Sequence, residues 1–252
     1  MTFYELYKNL SKLYPDTLRC EWDNDGIMCA DDVNGEVGKV LISLDITSSV
    51  VDYAIDNGFD TIVSHHPLVF HSQKALTPLN YTQNKLIKLV KNGVRAMSFH
   101  TRLDATDGGV NDTLVSILEL KNVIKDEIEP IGRIANTIEP MELSAFAKQV
   151  KEKLSAPAVL YSGNKKVNKV YIVGGDGKDL IERALEMGAD TLLTGRGSYN
   201  TSIDAEDMGL NIVEAGHFYT EHPVCKTIEK DILKIEPKIK TEIYFSNKIN
   251  LI

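Results

Sequence analysis

The feature that most constrains the fold of this chain is a strand–helix–strand pattern that occurs twice, once in each half of the sequence. In the first copy, residues 40–44 and 61–63 read as short buried strands, and Gly58 is placed to end the helix between them. Residues 39–63 align with residues 169–193 without a gap, and seven of the 25 positions are identical. Two strands joined by a helix in this way are typical of a parallel pair, so a duplicated α/β core is predicted.

Polar side chains mark the starts of several helices. Thr2 followed three residues later by Glu5 has the pattern of a capping box. Thr47 is expected to cap the helix of the first copy, and Asn111 or Asp112 is expected to cap a helix that follows them.

Each copy continues into a further strand, over residues 94–99 in the first copy and 210–215 in the second. The segment 124–165 has a different pattern and reads as a small α+β segment that joins the copies. We therefore expect an α/β (α+β) fold of two similar subdomains, residues 1–123 and residues 124–252, with mixed sheets flanked by helices.

Composition excludes several classes of protein. The chain carries 28 Lys and Arg against 36 Asp and Glu, and its net charge of −8 repels phosphates, so nucleic acid is not expected as the main partner. No stretch approaches about 18 uninterrupted apolar residues, so no membrane span is expected. Cys20, Cys29 and Cys225 form no Cys-x-x-Cys pair, which favours free thiols in a cytoplasmic protein over disulfides or a zinc knuckle.

Four of the six histidines come directly after predicted strands. His65 and His66 follow the second strand of the first copy, while His100 and His217 follow the further strands of the two copies. In open α/β sheets, ligands bind in the crevice beyond the carboxyl ends of the strands. The histidines are therefore expected to gather at such an edge.

A carboxylate follows two of these histidines at a spacing of four residues, and this spacing can present both side chains to one side. The ligand-type residues are therefore His65, His66, Asp104, His217 and Glu221, with His100 as a further ligand, an orienting residue or a proton carrier. Imidazole and carboxylate without thiolate suit Zn, Mn, Fe, Co or Mg. Because five or six ligands exceed one tetrahedral site, two divalent metal ions about 3.5–4 Å apart are predicted.

Three segments resemble the metal signatures of the NIF-three-like proteins, which are also called type-two GTP cyclohydrolase homologues. They are Ser64-His-His-Pro-Leu-Val-Phe70, His100-Thr-Arg-Leu-Asp104 and Gly216-His-Phe-Tyr-Thr-Glu221. Trp22-Asp-Asn-Asp-Gly26 and Gly108-Gly-Val-Asn-Asp112 resemble further loops of the family. The similarity covers nearly the whole chain, in the same order.

The resemblance implies a two-domain α/β protein with a duplicated core and a dinuclear metal centre between the halves. It also implies a toroidal homohexamer whose sites face an internal cavity. Matching the motifs makes the five ligand-type residues above the metal ligands and gives Glu221 the bridging position. The segment 124–165 is too short for the large insertion of some relatives, so this chain is similar to the compact members.

Two arginines depart from the family pattern. Arg102 stands where relatives often have Asn, and Arg196 lies in a stretch where relatives often carry an acid and a His. Because both are close in sequence to ligand motifs, we expect them to face an anionic group of a small-molecule substrate.

Two classes of function are compatible with a dinuclear centre. A metal pair can lower the pKa of a water toward about 7 and polarise a carbonyl or phosphoryl oxygen. This favours a metal-dependent hydrolase acting on a nucleotide, a phosphoester or a cyclic amidine, GTP cyclohydrolase-like by resemblance, with His100 as the candidate acid/base. The alternative is a non-enzymatic protein that binds or stores metal or serves as a regulatory scaffold, and an open coordination position would distinguish the two.

Overall fold

A computed structural model describes residues 1–249, which form eleven β-strands and ten α-helices. The strands are β1 (Gly26–Cys29), β2 (Lys39–Ser43), β3 (Thr61–Ser64), β4 (Arg95–Ser98), β5 (Lys121–Lys125), β6 (Arg133–Met141), β7 (Leu160–Ser162), β8 (Val167–Asp176), β9 (Thr191–Arg196), β10 (Asn211–Glu214) and β11 (Lys240–Tyr244). The helices are α1 (Phe3–Leu13), α2 (Ser48–Asp56), α3 (Tyr81–Lys91), α4 (Thr101–Ala105), α5 (Val110–Ile117), α6 (Leu143–Lys153), α7 (Ile181–Glu186), α8 (Tyr199–Asp207), α9 (His217–Glu221) and α10 (Val224–Ile235). None of these helices is both long and apolar enough to cross a bilayer.

The chain divides into two compact units. The first contains Met1–Thr106 and Val224–Lys248, and the second contains Asp107–Pro223 together with Ile249. This division differs from the two predicted halves, because α5 and β5 lie in the second unit while α10 and β11 return to the first. The return has a physical cause, since β11 pairs in parallel with β2 and completes the sheet of the first unit.

The sheet of the first unit has the strand order β1-β4-β3-β2-β11. Strands β4, β3, β2 and β11 are parallel, and β1 runs antiparallel at the edge. Helix α2 buries Val50, Val51 and Ala54 in a core that also contains Leu41 and Ile62 of the sheet. The helix thus covers one face of the parallel strands.

The sheet of the second unit has the order β5-β6-β8-β9-β10-β7. Strands β8, β9 and β10 are parallel, whereas β5, β6 and β7 add antiparallel pairs at the two sides. Helix α6 packs Phe146 and Val150 in one core with Val170 and Ile172 of β8. Two mixed sheets flanked by helices confirm the predicted fold class.

The identical positions of the two sequence copies make the same contacts in each unit. When the copies are aligned, β2 pairs with β3 in the same register as β8 with β9. Asp60 Oδ2 accepts a hydrogen bond from Lys39 N at 2.8 Å, and Asp190 Oδ2 accepts one from Lys169 N at 2.8 Å. Both lysine Nζ atoms donate to a carbonyl at the end of the intervening helix. The repeated residues therefore tie each strand to the loop that enters the next.

Two of the three predicted helix starts are confirmed. Thr2 and Glu5 form the reciprocal capping box, and the Thr47 side chain caps α2. The prediction that Asn111 or Asp112 caps a helix is wrong, because α5 begins ahead of both residues. Their side chains make tertiary hydrogen bonds within the second unit, and Asp112 Oδ2 also accepts one from Gly108 N, ahead of the helix.

Candidate metal centre

The first unit gathers three imidazoles at the carboxyl edge of its parallel strands. His65 and His66 follow β3 directly, and His100 follows β4 one residue later. One ring nitrogen of each lies within 4.8 Å of those of the other two. The ring centroids are 5.0–5.5 Å apart, so the side chains form one compact cluster.

The orientation of two of these rings is fixed through Nδ1. His65 Nδ1 lies 2.9 Å from the Phe99 carbonyl oxygen, and His66 Nδ1 lies 2.7 Å from Asp45 Oδ1. Because these acceptors hold the proton on Nδ1, Nε2 carries the lone pair in each ring. His65 Nε2 faces Asp104 Oδ1 at 3.5 Å, which adds a carboxylate to the cluster. Carboxylate and carbonyl partners on the far nitrogen are typical of metal-binding histidines.

The third imidazole is positioned by a buried carboxylate. Asp23 Oδ1 lies 2.8 Å from His100 Nδ1, and Asp23 Oδ2 accepts hydrogen bonds from the backbone and hydroxyl groups of Thr101. Burial alone would raise the pKa of Asp23, but the hydrogen bonds from His100 and Thr101 outweigh it and lower the pKa to about 2. The ionised carboxylate therefore keeps the His100 proton on Nδ1. This geometry suits both a ligand and an acid/base, and the catalytic role of His100 stays a prediction.

The two arginines expected at the substrate are placed very differently. Arg102 is fully buried, where its Nε donates to Asp25 Oδ2 at 2.8 Å and its guanidinium lies over the Phe99 ring. An anionic substrate group cannot reach it there, so Arg102 stabilises the interior of the first unit instead of facing a substrate. Arg196 is exposed at the last position of β9, and its role in substrate binding stays a prediction.

The second unit carries one imidazole–carboxylate pair on a single short helix. His217 begins α9 and Glu221 ends it, with 2.9 Å between Nε2 and Oε2. The side chain of His217 is 41% exposed and that of Glu221 is 5% exposed. The spacing of four residues therefore does place both side chains on one side of the helix.

Glycines let the neighbouring strands approach this pair closely. Gly175, at the end of β8, has φ +69°, and a Cβ there would lie 2.1 Å from Glu221 Oε1 and 3.3 Å from His217 Nε2. A Cβ on Gly195 would lie 2.8 Å from the Cα of His217. Any other residue would fill the space around the carboxylate. The glycine-rich sequence Gly174-Gly-Asp-Gly177 is typical of a turn, but residues 174–176 belong to strand β8.

The two His-x-x-x-carboxylate segments are not copies of one another. His100 precedes α4 as its N-cap, whereas Gly216 is the N-cap of α9 and His217 is its first residue. Asp104 and Glu221 are therefore offset by one residue with respect to their helices. The shared spacing comes from the helical repeat, and each pair is oriented by its own surroundings.

The donor atoms of each unit fit divalent metal ions. The first unit offers imidazoles with engaged Nδ1 atoms and the carboxylate of Asp104, and the second unit offers an imidazole and a carboxylate cradled by glycine. Neither set contains a thiol. Nitrogen and oxygen donors of this kind suit Zn, Mn, Fe or Co.

Comparison with known proteins agrees with the fold. The sequence model of the Duf34/NIF3 (NGG1p interacting factor 3) family matches residues 1–250. A GTP cyclohydrolase 1 type 2 homolog of Clostridium perfringens is 32% identical, over 96% of this chain and 93% of that protein. NGG1-interacting factor 3 of Saccharomyces cerevisiae is 29% identical, over 92% of this chain and 90% of that protein. The crystal structure of a Staphylococcus aureus hypothetical protein superposes with a TM-score of 0.90 at 27% identity, covering 100% of this chain and 99% of that one. The resemblance read from the three signatures is thereby confirmed, and the chain belongs to the Duf34/NIF3 family.

Proposed function

We propose that this chain binds two divalent metal ions and is a metal-dependent hydrolase of a nucleotide, a phosphoester or a cyclic amidine. The observation that carries the proposal is the imidazole cluster of the first unit, in which each Nδ1 is engaged by a carboxylate or a carbonyl. Such partners orient ligating nitrogens and raise their basicity. The residues that would hold the ions are His65, His66, Asp104, His217 and Glu221, with Glu221 in the bridging position that the family resemblance implies.

A bound metal pair would supply a Lewis acid and an activated water at neutral pH. The chain's own residues would position the substrate and move a proton. His100 Nδ1 is engaged by Asp23, so its Nε2 is the atom that could accept a proton and return it to a leaving group. Asp23 would stabilise the imidazolium that forms, while Asp45 would keep His66 in its ligating tautomer.

Further parts of the proposal rest on the relatives and on composition. The name of the Clostridium perfringens relative makes GTP the first substrate to test. Arg196, exposed at the end of β9, is the proposed contact for an anionic group of that substrate. We also propose a homohexamer, because the resemblance implies one, and a cytoplasmic location, because three cysteines scattered along the sequence do not make a disulfide framework.

The test is metal reconstitution followed by turnover. The metal-free protein is loaded separately with Zn, Mn, Fe, Co or Mg and is assayed with GTP and a generic phosphoester, with bound metal counted in each sample. We expect turnover that His66→Ala and Glu221→Ala abolish. Asp52→Ala is the matched control, because Asp52 pairs with Lys88 on the surface of the same unit as His66. Bound metal without turnover for any of these substrates would favour the non-enzymatic alternative.

A further inference from the structure

Two large aromatic side chains stand exposed beside the imidazole cluster. Trp22 is 65% exposed and Phe70 is 42% exposed, although rings of this size usually bury most of their surface. Their centroids are 6.1 Å apart, and they lie 6.2 Å and 6.3 Å from the His100 ring. The imidazole meets both rings edge-on, at 77° and 78°. The aromatic pair therefore borders a residue of the candidate metal centre.

The loops that carry the two rings are fixed to each other and to the cluster. The side-chain amide of Asn24 donates to the Val69 carbonyl, which joins the Trp22 loop to the Phe70 loop. Asp23, next to Trp22, is anchored on His100 and Thr101. The two loops are thus joined before any ligand arrives, which lowers the entropy lost on binding.

The ring of Phe70 also lines a cavity of about 600 Å³ in the first unit. His66 and Asp45 line the same cavity, as do Lys74 and Lys85. A volume of this size accommodates a small organic ligand, and its wall combines an aromatic surface, cationic side chains and a candidate metal ligand.

We propose that Trp22 and Phe70 form a stacking subsite for a planar heterocyclic ring, such as a purine base, in the substrate of this metal centre. The inference rests on the proposed function and narrows its substrate from a nucleotide, a phosphoester or a cyclic amidine to compounds that carry an aromatic base. Exposed aromatic rings bind bases by stacking, because every base presents a π-face. The adjacent His100 and His66 would then lie next to the bound ring or to the groups attached to it.

The chain offers a direct probe, because Trp22 is its only tryptophan. The metal-loaded protein is titrated with GMP while its tryptophan fluorescence is recorded, and ribose 5-phosphate serves as the ligand without an aromatic base. We expect GMP to quench the fluorescence and ribose 5-phosphate to leave it unchanged. Phe70→Ala should weaken GMP binding by about tenfold to a hundredfold, whereas Phe70→Tyr should bind nearly normally. Tyr4→Ala, which removes another exposed ring of the same unit, is the matched control.

Two measurements separate the failure of this inference from the failure of the proposed function. If the protein holds its metal and GMP leaves the fluorescence of Trp22 unchanged, the subsite is refuted while the metal centre stands. Quenching by GMP in a protein that binds no metal would keep the subsite and remove the metal centre. If Trp22→Ala and Phe70→Ala change the sedimentation mass and leave catalysis with base-containing substrates unchanged, the rings are a contact between copies and the inference is overturned.

Discussion

Single carboxylates beside the histidines decide which nitrogen faces the candidate metal centre. Asp45 Oδ1 lies 2.7 Å from His66 Nδ1, so Asp45→Asn would remove the charge that holds the proton on Nδ1. We expect metal affinity to fall by about 10- to 100-fold, measured by competition with a chromophoric chelator. Asp52→Asn, whose carboxylate pairs with Lys88 on the surface of the same unit, should leave the affinity unchanged. Equal affinities in all three proteins would show that Asp45 does not orient a ligand.

A buried carboxylate of the second unit governs stability rather than metal binding. The side chain of Asp126 is fully buried and accepts hydrogen bonds from Arg183 and from the Tyr171 hydroxyl. Burial would raise its pKa, but these hydrogen bonds outweigh burial and hold the pKa well below its usual value of 3.8. The ionised form therefore stabilises the folded state above about pH 4, and this contribution is lost as the pH falls through the folded-state pKa.

Asp126→Asn should accordingly lower the free energy of unfolding by about 1–3 kcal/mol at pH 7, because it removes the charged acceptor of Arg183 and of the Tyr171 hydroxyl, although Arg183 keeps its ion pair with Glu186. Asp107→Asn is the control, since Asp107 is an exposed partner of Lys125 and should cost less than about 1 kcal/mol. Urea unfolding at pH 7 and pH 3 measures both. The difference between wild type and Asp126→Asn should shrink at the lower pH, and a gap that widens there would contradict the assigned sign.

Sequence patterns identify the histidines but not the side chains that orient them. The clustering of His65, His66 and His100 at one edge of the sheet could be predicted, because each follows a recognisable strand. Asp45 lies 21 residues from His66, and Asp23 lies 77 residues from His100, so no local spacing connects either pair. The contact between Asp45 and His66 follows from the topology of the sheet, since Asp45 comes after β2 and His66 comes after the adjacent parallel strand β3. The signal in the sequence that could have identified Asp45 was a polar residue soon after each of two neighbouring strands.

At the scale of elements, helix α9 can present its two ligand-type side chains only because glycine lies opposite them. Gly175→Ala would place a Cβ 2.1 Å from Glu221 Oε1 and would also strain a backbone with φ +69°. We expect the stability to fall by about 1–2 kcal/mol from the backbone strain and the metal affinity to fall as well, because the carboxylate must move. Thermal unfolding and chelator competition measure the two effects.

Gly188→Ala is the control that separates the effect of backbone strain from the effect of moving the Glu221 carboxylate. Gly188 lies in the same unit with φ +74°, but a Cβ there would meet only the flexible end of Lys169, at 3.3 Å. The control should therefore lose similar stability and keep its metal affinity. Equal metal affinities for the two variants would mean that Gly175 does not set the position of Glu221.

The elements that could be predicted are those with a strong local signal. The first βαβ unit carries a capping threonine, an apolar helix face and a terminal glycine, and its strands and helix lie where expected. Strand β5 carries no comparable signal, because most of its residues are exposed. Strand β11 depends on pairing with β2, which lies near the opposite end of the chain, and α10 returns to the first unit with it. Such long-range pairings decided the division of the chain into units, so the predicted halves could not anticipate it.

At the scale of the whole molecule, the proposed homohexamer can be measured directly. Sedimentation equilibrium should give six times the chain mass of 28.0 kDa. The measurement should be made with and without a chelator, because a ligand that binds only the folded assembly stabilises it by mass action. A monomeric or dimeric mass under both conditions would contradict the proposal and leave the metal centre to be judged separately.

Whether ligands from both units hold the same ions is decided by a double-mutant cycle. His66→Ala removes a ligand of the first unit, Glu221→Ala removes one of the second, and metal affinity is measured for both single variants and the double variant. If the residues serve one dinuclear centre, the losses should be non-additive by at least about 0.5 kcal/mol, because the first substitution already disrupts what the second would remove. The pair His66→Ala and Asp190→Ala is the additive control, since Asp190 ties Lys169 to its loop in the second unit. Two additive losses, with one ion lost in each single variant, would show that the units bind metal independently, and a chemistry that requires two ions acting together would then be refuted.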